Sequence, residues 1–182
     1  MLAFSLCCGA PSHAADSWKL ADLMAAMSAV PSTSLRFTEK KYVAILKEPL
    51  TLSGTLNYKR PDFIEKHVLS PHEERYTVAG VNVRVESKGK KRDLSLDAYP
   101  VIRAFVDSIR ATLAGDGQTL QRFYRTELRG ARDAWVLNLE PLDAQMAEQV
   151  STIRLSGAGS TVDEVVVFEP GGDKSVMTIA PQ

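Results

Sequence analysis

The side chain with the most unusual chemical setting in this sequence is Arg60. It closes the alternation Leu50-x-Leu52-x-Gly54-x-Leu56-x-Tyr58-x-Arg60, whose apolar members share one face of an extended segment, and Pro61 follows it. Guanidinium N–H donors are costly to leave unpaired in a dry interior. Such an arginine either reaches water at the strand end or forms a polar clasp at the mouth of an apolar cavity, bonding to whatever covers that mouth. Other chemistry is sparse. His67 and His72 stand five residues apart across Ser70-Pro71, with Glu73 and Glu74 next. The proline and the spacing do not fit two histidines on one helix face, so no metal is expected and the pair reads as loop or strand-end histidines. There is no Gly-x-Ser-x-Gly elbow. Ser156-Gly157-Ala158-Gly159 and Ala114-Gly115-Asp116-Gly117 read as turns, since neither joins a parallel strand to a helix. The carboxylates are scattered, with no pair set apart as acid and base. No catalytic residue and no cofactor are expected; a hydrolase is the remaining enzymatic alternative.

The chain around these residues has 182 positions, is 45% hydrophobic, and balances 22 basic against 22 acidic side chains. That length and composition predict one domain, residues 15–182, and a neutral chain has no global field to draw in nucleic acid. Met1–Ala14 carries no charge, is too short to span a bilayer, and ends in small residues, so it reads as a signal peptide cut after Ala14. Both cysteines, Cys7 and Cys8, would leave with it, and the mature chain would be held by core packing alone.

Periodicity supplies the elements. Leu20, Leu23, Met24, Met27 and Val30 recur at helical spacing, capped by Asp16 or Ser17. Leu35 and Phe37 then alternate, and the parity flips to Tyr42, Ala44 and Leu46, which predicts a bulge or break near Lys40. Strands follow over 50–60, 63–69, 76–78 and 81–85, and the basic run Lys88–Arg92 reads as a solvated hairpin tip, with a phosphate- or partner-docking patch as its alternative. Ala98, Ile102, Phe105, Val106, Ile109 and Leu113 form one helical stripe ended by Gly115-Asp116-Gly117. Strands resume over 122–128, 135–139, 151–156, 162–168 and 175–179, with a short helical turn opened by Pro141. Strands this short, joined by turns, predict an antiparallel sheet that curls, with one helix ahead of it and one inserted.

The order helix, Phe37-Thr38-Glu39-Lys40-Lys41, Leu52-Ser53-Gly54-x-Leu56-x-Tyr58-x-Arg60-Pro61, then Gly80-Val81-Asn82-Val83 resembles the periplasmic lipoprotein carrier LolA and its divergent relatives. The resemblance implies a mainly β fold, a half-open antiparallel β-barrel of about eleven strands covered by a helical lid over an apolar cavity. It implies that Arg60 gates the lid through backbone carbonyls, that the lid includes the helix from Tyr99 to Leu113, and that the cargo is an acylated lipoprotein. Ala79-Gly80 stands where the family has aspartate-glycine, and the chain ends at Gln182 soon after the last strand, so another acyl-bearing lipid is the alternative cargo. The cavity is expected to use Phe37, Leu52, Leu56, Tyr58, Ile102, Phe105, Val106 and Ile109, each of which also fits an ordinary core contact. An inner-membrane donor, an outer-membrane acceptor, a periplasmic location and a monomer are the implied context. The alternative is a non-transport module on the same fold that senses a lipid or an envelope protein.

Overall fold

The computed structural model describes residues 18–182; the expected leader Met1–Ala14 and the expected caps Asp16 and Ser17 lie outside them. Chain order begins with helix α1 (Leu20–Ser28), whose first turn is closed by Asp22, a carboxylate accepting from the Lys19 N–H at 2.8 Å. Six strands follow, β1 (Ser32–Tyr42), β2 (Leu50–Lys59), β3 (Phe63–Ser70), β4 (Glu74–Ala79), β5 (Asn82–Ser87) and β6 (Lys90–Ser95). A 3-10 turn at Leu96–Ala98 leads into α2 (Pro100–Ala114) and α3 (Gly117–Phe123). The chain ends with β7 (Tyr124–Ala131), β8 (Ala134–Pro141), α4 (Ala144–Ala147), β9 (Thr152–Ala158), β10 (Thr161–Phe168) and β11 (Lys174–Pro181).

The protein is mainly β: all eleven strands form one open sheet in the order β6-β5-β4-β3-β2-β1-β11-β10-β9-β8-β7. Every neighbouring pair is antiparallel. This order has a geometric consequence. Strands β6 and β7 are consecutive in sequence but occupy opposite rims of the sheet. The chain between them must therefore travel from one rim to the other, and it does so as α2 and α3, carrying an apolar stripe that has to be buried. Every residue of the rim strand β6 is exposed, and Lys90, Lys91, Arg92 and Asp93 make it a charged edge that discourages pairing with another chain.

The helices pack unevenly along the sheet. The larger core joins Leu23, Met24 and Met27 of α1, Ala111 of α2 and Leu120 of α3 to Tyr124, Trp135, Leu137, Leu139, Ile153 and Leu155 on β7–β9. Trp135 is 1% exposed, and its indole N–H donates to the Gly159 carbonyl at 3.1 Å. A smaller core forms where α2 crosses the other half: Val106 and Leu96 meet Val78, flanked by Ile64 and Val83.

Two expectations need correction. Strand β1 is unbroken at Lys40, which pairs in regular register with Thr51 and Val176. The parity flip has another cause. Glu39 takes the inward position after Phe37 and is 4% exposed, while Tyr42 ends the strand and Ala44 and Leu46 belong to the following loop. The irregularities lie instead between Ser53 and Gly54 against β3, and between Val162 and Glu164 against β9. The second correction is α3, which occupies a stretch read as turn and incoming strand. Its N-cap is Asp116, whose carboxylate accepts from the Thr119 N–H at 3.0 Å. Hydrogen bonds from Thr119 hold that carboxyl below its ordinary range. Asp116→Ala is therefore expected to lower stability by about 1 kcal/mol in urea melts at neutral pH. A depressed folded-state pKa contributes stability above the unfolded value and loses it as pH falls through the folded one, so the deficit of the variant should shrink in acid.

Candidate functional site

Strand β2 delivers Arg60 to its C-terminal end just past Lys59, where its N–H donates to the Pro31 carbonyl at 3.0 Å. The half-buried guanidinium turns inward to the helices. Its Nε donates to the Val30 carbonyl at 3.3 Å and its Nη2 to the Ala114 carbonyl at 2.9 Å. Val30 lies just beyond α1, and Ala114 is the last residue of α2. Carbonyls at a helix C-terminus lack intrahelical partners and sit at the negative end of the helix dipole, so a cation is well placed there. One side chain thus ties both helices to the sheet.

A second arginine fastens α2 from the opposite direction. Arg110 Nη2 donates to the Asp62 carbonyl at 3.0 Å and to the Gly80 carbonyl at 2.5 Å. Those carbonyls lie in the β2–β3 and β4–β5 turns. Its buried Nε has no partner among the described residues. Sequence reasoning did not single out Arg110. The available signal was its place four residues after Val106, on the apolar side of the α2 stripe.

The strand registers place the expected cavity residues. Phe37 lies opposite Gly54, and Leu52, Leu56 and Tyr58 share that inward face of β2. Phe37 and Tyr58 are 3% and 4% exposed, and Leu52 and Leu56 are half-buried. On α2, Val106 rests on Val78 and Leu96, Phe105 packs against the larger core, and Ile109 is half-buried. Ile102 stands apart, 47% exposed on the first turn of the helix. Helix α2 therefore lies down on the sheet rather than over an open chamber. Clefts of about 330 and 450 Å³ border Arg110, Asp116 and Arg122 in one case and His72, Arg75 and the Lys88–Lys91 hairpin in the other. None of the expected cavity residues lines either of them.

The same inward face carries charge that the alternation did not announce. Lys66 Nζ meets Glu39 Oε2 at 2.5 Å, with side chains 27% and 6% exposed, and stands 5.0 Å from the centre of the Phe37 ring. Farther across, Tyr76 Oη donates to Glu74 Oε2 at 2.7 Å and Ser87 Oγ to Glu74 Oε1 at 3.0 Å. These bonds lower the Glu74 pKa, and the bond to Glu74, with burial, pushes the Tyr76 phenol up to about 12. His67 belongs to the opposite face. Its Nε2 lies 3.0 Å from Glu73 Oε1, and Arg75 approaches its ring. Among the described residues no group of His, Cys, Asp and Glu is arranged to hold a metal ion, and no helix is long and apolar enough to cross a membrane.

Solved structures of low sequence identity resemble this chain. The LolA superfamily protein from Nitrosomonas europaea is 11% identical, with 92% of this chain and 94% of that one covered, at a TM-score of 0.47. The Pseudomonas aeruginosa MucA/MucB complex gives 10% identity and a TM-score of 0.49 over 89% of this chain and 56% of that one. A putative outer membrane lipoprotein-sorting protein domain from Vibrio parahaemolyticus gives 10% identity and a TM-score of 0.42, with 88% of each chain covered. Among curated proteins none matches. The family model described as outer membrane lipoprotein carrier protein LolA-like matches residues 9–174, which is most of the sequence. The chain belongs to that LolA-like family.

Proposed function

We propose that this protein is a periplasmic carrier that takes up the acyl chains of a lipoprotein or related lipid between α2 and the inward face of β1–β5. It would receive them from an inner-membrane donor and release them to an outer-membrane acceptor, working as a monomer. Residues 15–182 act as one carrier domain in this reading. The observation that supports it best is the pair of hydrogen bonds from Arg60 to the Val30 and Ala114 carbonyls. Helix α2 rests directly on Val78 through Val106, so an acyl chain enters only by lifting it.

The energetics favour a reversible grip. Burying an acyl chain gains about 0.8 kcal/mol per methylene, so a chain of roughly sixteen carbons gains on the order of 10 kcal/mol before costs. Lifting α2 costs the Arg60 bond to Ala114, the Arg110 bonds to Asp62 and Gly80, and the small core beneath it, and that cost is subtracted from the affinity. A closed lid thus competes with cargo and helps expel it. Phe37, Leu52, Leu56, Tyr58, Phe105, Val106 and Ile109 would line the opened space, with Ile102 at its outer lip.

Arg60→Leu removes both bonds. A hydrogen bond from a charged group is worth roughly 1.5–3 kcal/mol, so loss of the one that holds α2, at Ala114, amounts to on the order of 2 kcal/mol, a shift of about thirtyfold toward the open lid. A fluorescent fatty acid loaded on the variant is expected to transfer to acceptor vesicles about tenfold or more slowly than from the unaltered protein. Equal transfer rates would remove the gating role of Arg60. Absence of saturable fatty-acid binding to either protein would remove the carrier reading itself.

A further inference from the structure

The ion pair on the inward face is out of keeping with a trough built only for hydrocarbon. Lys66 lies on β3 directly opposite Leu56, and Glu39 lies on β1 directly opposite Leu52. To meet Glu39, the lysine must cross β2 between those two leucines, above Gly54, which leaves that stretch of floor without a side chain. The ammonium sits there over Phe37, and the lysine side chain as a whole is 27% exposed. Replacing a buried pair by hydrophobic residues of similar size is often neutral for stability, so packing alone does not call for a pair here.

Both carboxylates on this face accept from its own side chains, Glu39 from Lys66 and Glu74 from the Tyr76 and Ser87 hydroxyls. Donors remain beside them. The Lys66 ammonium has three N–H groups and spends one on Glu39, its hydrogen-bond partner among the described residues. Tyr58 is on the same face, next inward-facing residue after Leu56, 4% exposed, and its hydroxyl has no partner. Arg110 Nε, on the helix above, is also buried and unpartnered. A guest that matches this surface offers acceptors and negative charge at one end and hydrocarbon at the other. A cationic head would leave the free donors unmatched, and a neutral oxygen head would accept from them without the strength of a charge-assisted bond.

We propose that Lys66 is a headgroup site, and that the cargo is an amphiphile with an anionic carboxylate or phosphate head whose tail lies against Leu52, Leu56 and Phe37. This rests on the carrier reading above and adds the chemistry of the head. The test titrates the full chain with four probes of one tail length: decanoate, decyl phosphate, decanol and decyltrimethylammonium. One or both anions should bind about tenfold more tightly than decanol, and the cation more weakly than decanol. The better anion tells a fatty acid from a phosphate ester. A Glu39→Leu/Lys66→Met double variant keeps an apolar floor and should bind decanoate, decyl phosphate and decanol alike, without the anion preference. Lys66→Arg should keep the preference. Equal binding of decanol and both anions, or a preference that survives in the double variant, would overturn the headgroup site and leave the carrier standing. Failure of all four probes to bind would overturn both.

Discussion

Replacing Gly115 by alanine is expected to lower the melting temperature by roughly 6–12 °C, on a scale of about 2–4 °C per kcal/mol for a chain of this size. Gly115 ends α2 in the left-handed conformation, φ +72°, with its N–H on the last-turn carbonyls. Left-handed backbone costs an L-residue roughly 1–2 kcal/mol. The larger cost is space. A Cβ there would lie 2.1 Å from the Met24 carbonyl oxygen and 2.8 Å from the Ser28 backbone nitrogen, both in α1. These are backbone atoms and have no rotamer to escape by, so α1 would have to move, at an overpacking cost of about 1–3 kcal/mol. That movement pulls Leu23, Met24 and Met27 away from the Trp135 core and strains the Arg60 bonds on either side. Gly89→Ala separates the two costs. Its φ is also +72°, but a Cβ there meets nothing within 4 Å, so only the conformational cost should show. Melting curves in which both variants lose the same small amount would mean that α1 does not press on Gly115.

The two halves of the Glu39–Lys66 pair should behave unequally in urea unfolding. Lys66→Met strands a carboxylate whose side chain is 6% exposed, and breaking a buried pair in this way costs about 3–5 kcal/mol. Glu39→Leu strands the ammonium of a flexible side chain that is 27% exposed, which can swing toward water and rehydrate, so about 1–2 kcal/mol is expected. The double variant should recover to within about 1 kcal/mol of the unaltered protein, because the floor is then simply apolar. The cycle therefore predicts a large favourable coupling, with the lysine side the more damaging single change. Additive losses would show that the two groups do not depend on each other.

Much of this fold was legible in the residues, and the failures have identifiable causes. Strand β2 announces itself because one face is apolar over its whole length, and α2 because Phe105, Val106, Ile109 and Leu113 sit on one side of a helix. Arg60 could be singled out since a charge at the end of an apolar face, followed by proline, has few ways to be satisfied. Helix α3 was missed because Gln118, Thr119, Gln121 and Arg122 give it no stripe; it depends on Asp116 at its start and on Leu120 buried by α1. Glu39 was hidden for the opposite reason. A charged residue in a run of lysines reads as solvated, and its burial is decided by Lys66, a residue of another strand. The location of the main core was equally inaccessible. Trp135, Leu137 and Leu139 alternate plainly, but that α1 rather than α2 supplies most of their cover is a property of topology.

The seam between β1 and β11 binds the two ends of the described chain, joining Leu35 to Pro181. Each flank of that seam is a run of sequential hairpins and helices rich in local contacts, quick to assemble by its own means. The seam is the opposite, a pairing of great sequence separation whose loop-closure entropy is paid before any contact rewards it. It is thus the natural late step of folding, and the terminal strand is the keystone: without it, two half-leaves would remain, joined by the helical strap and by the packing of α1 on β7–β9.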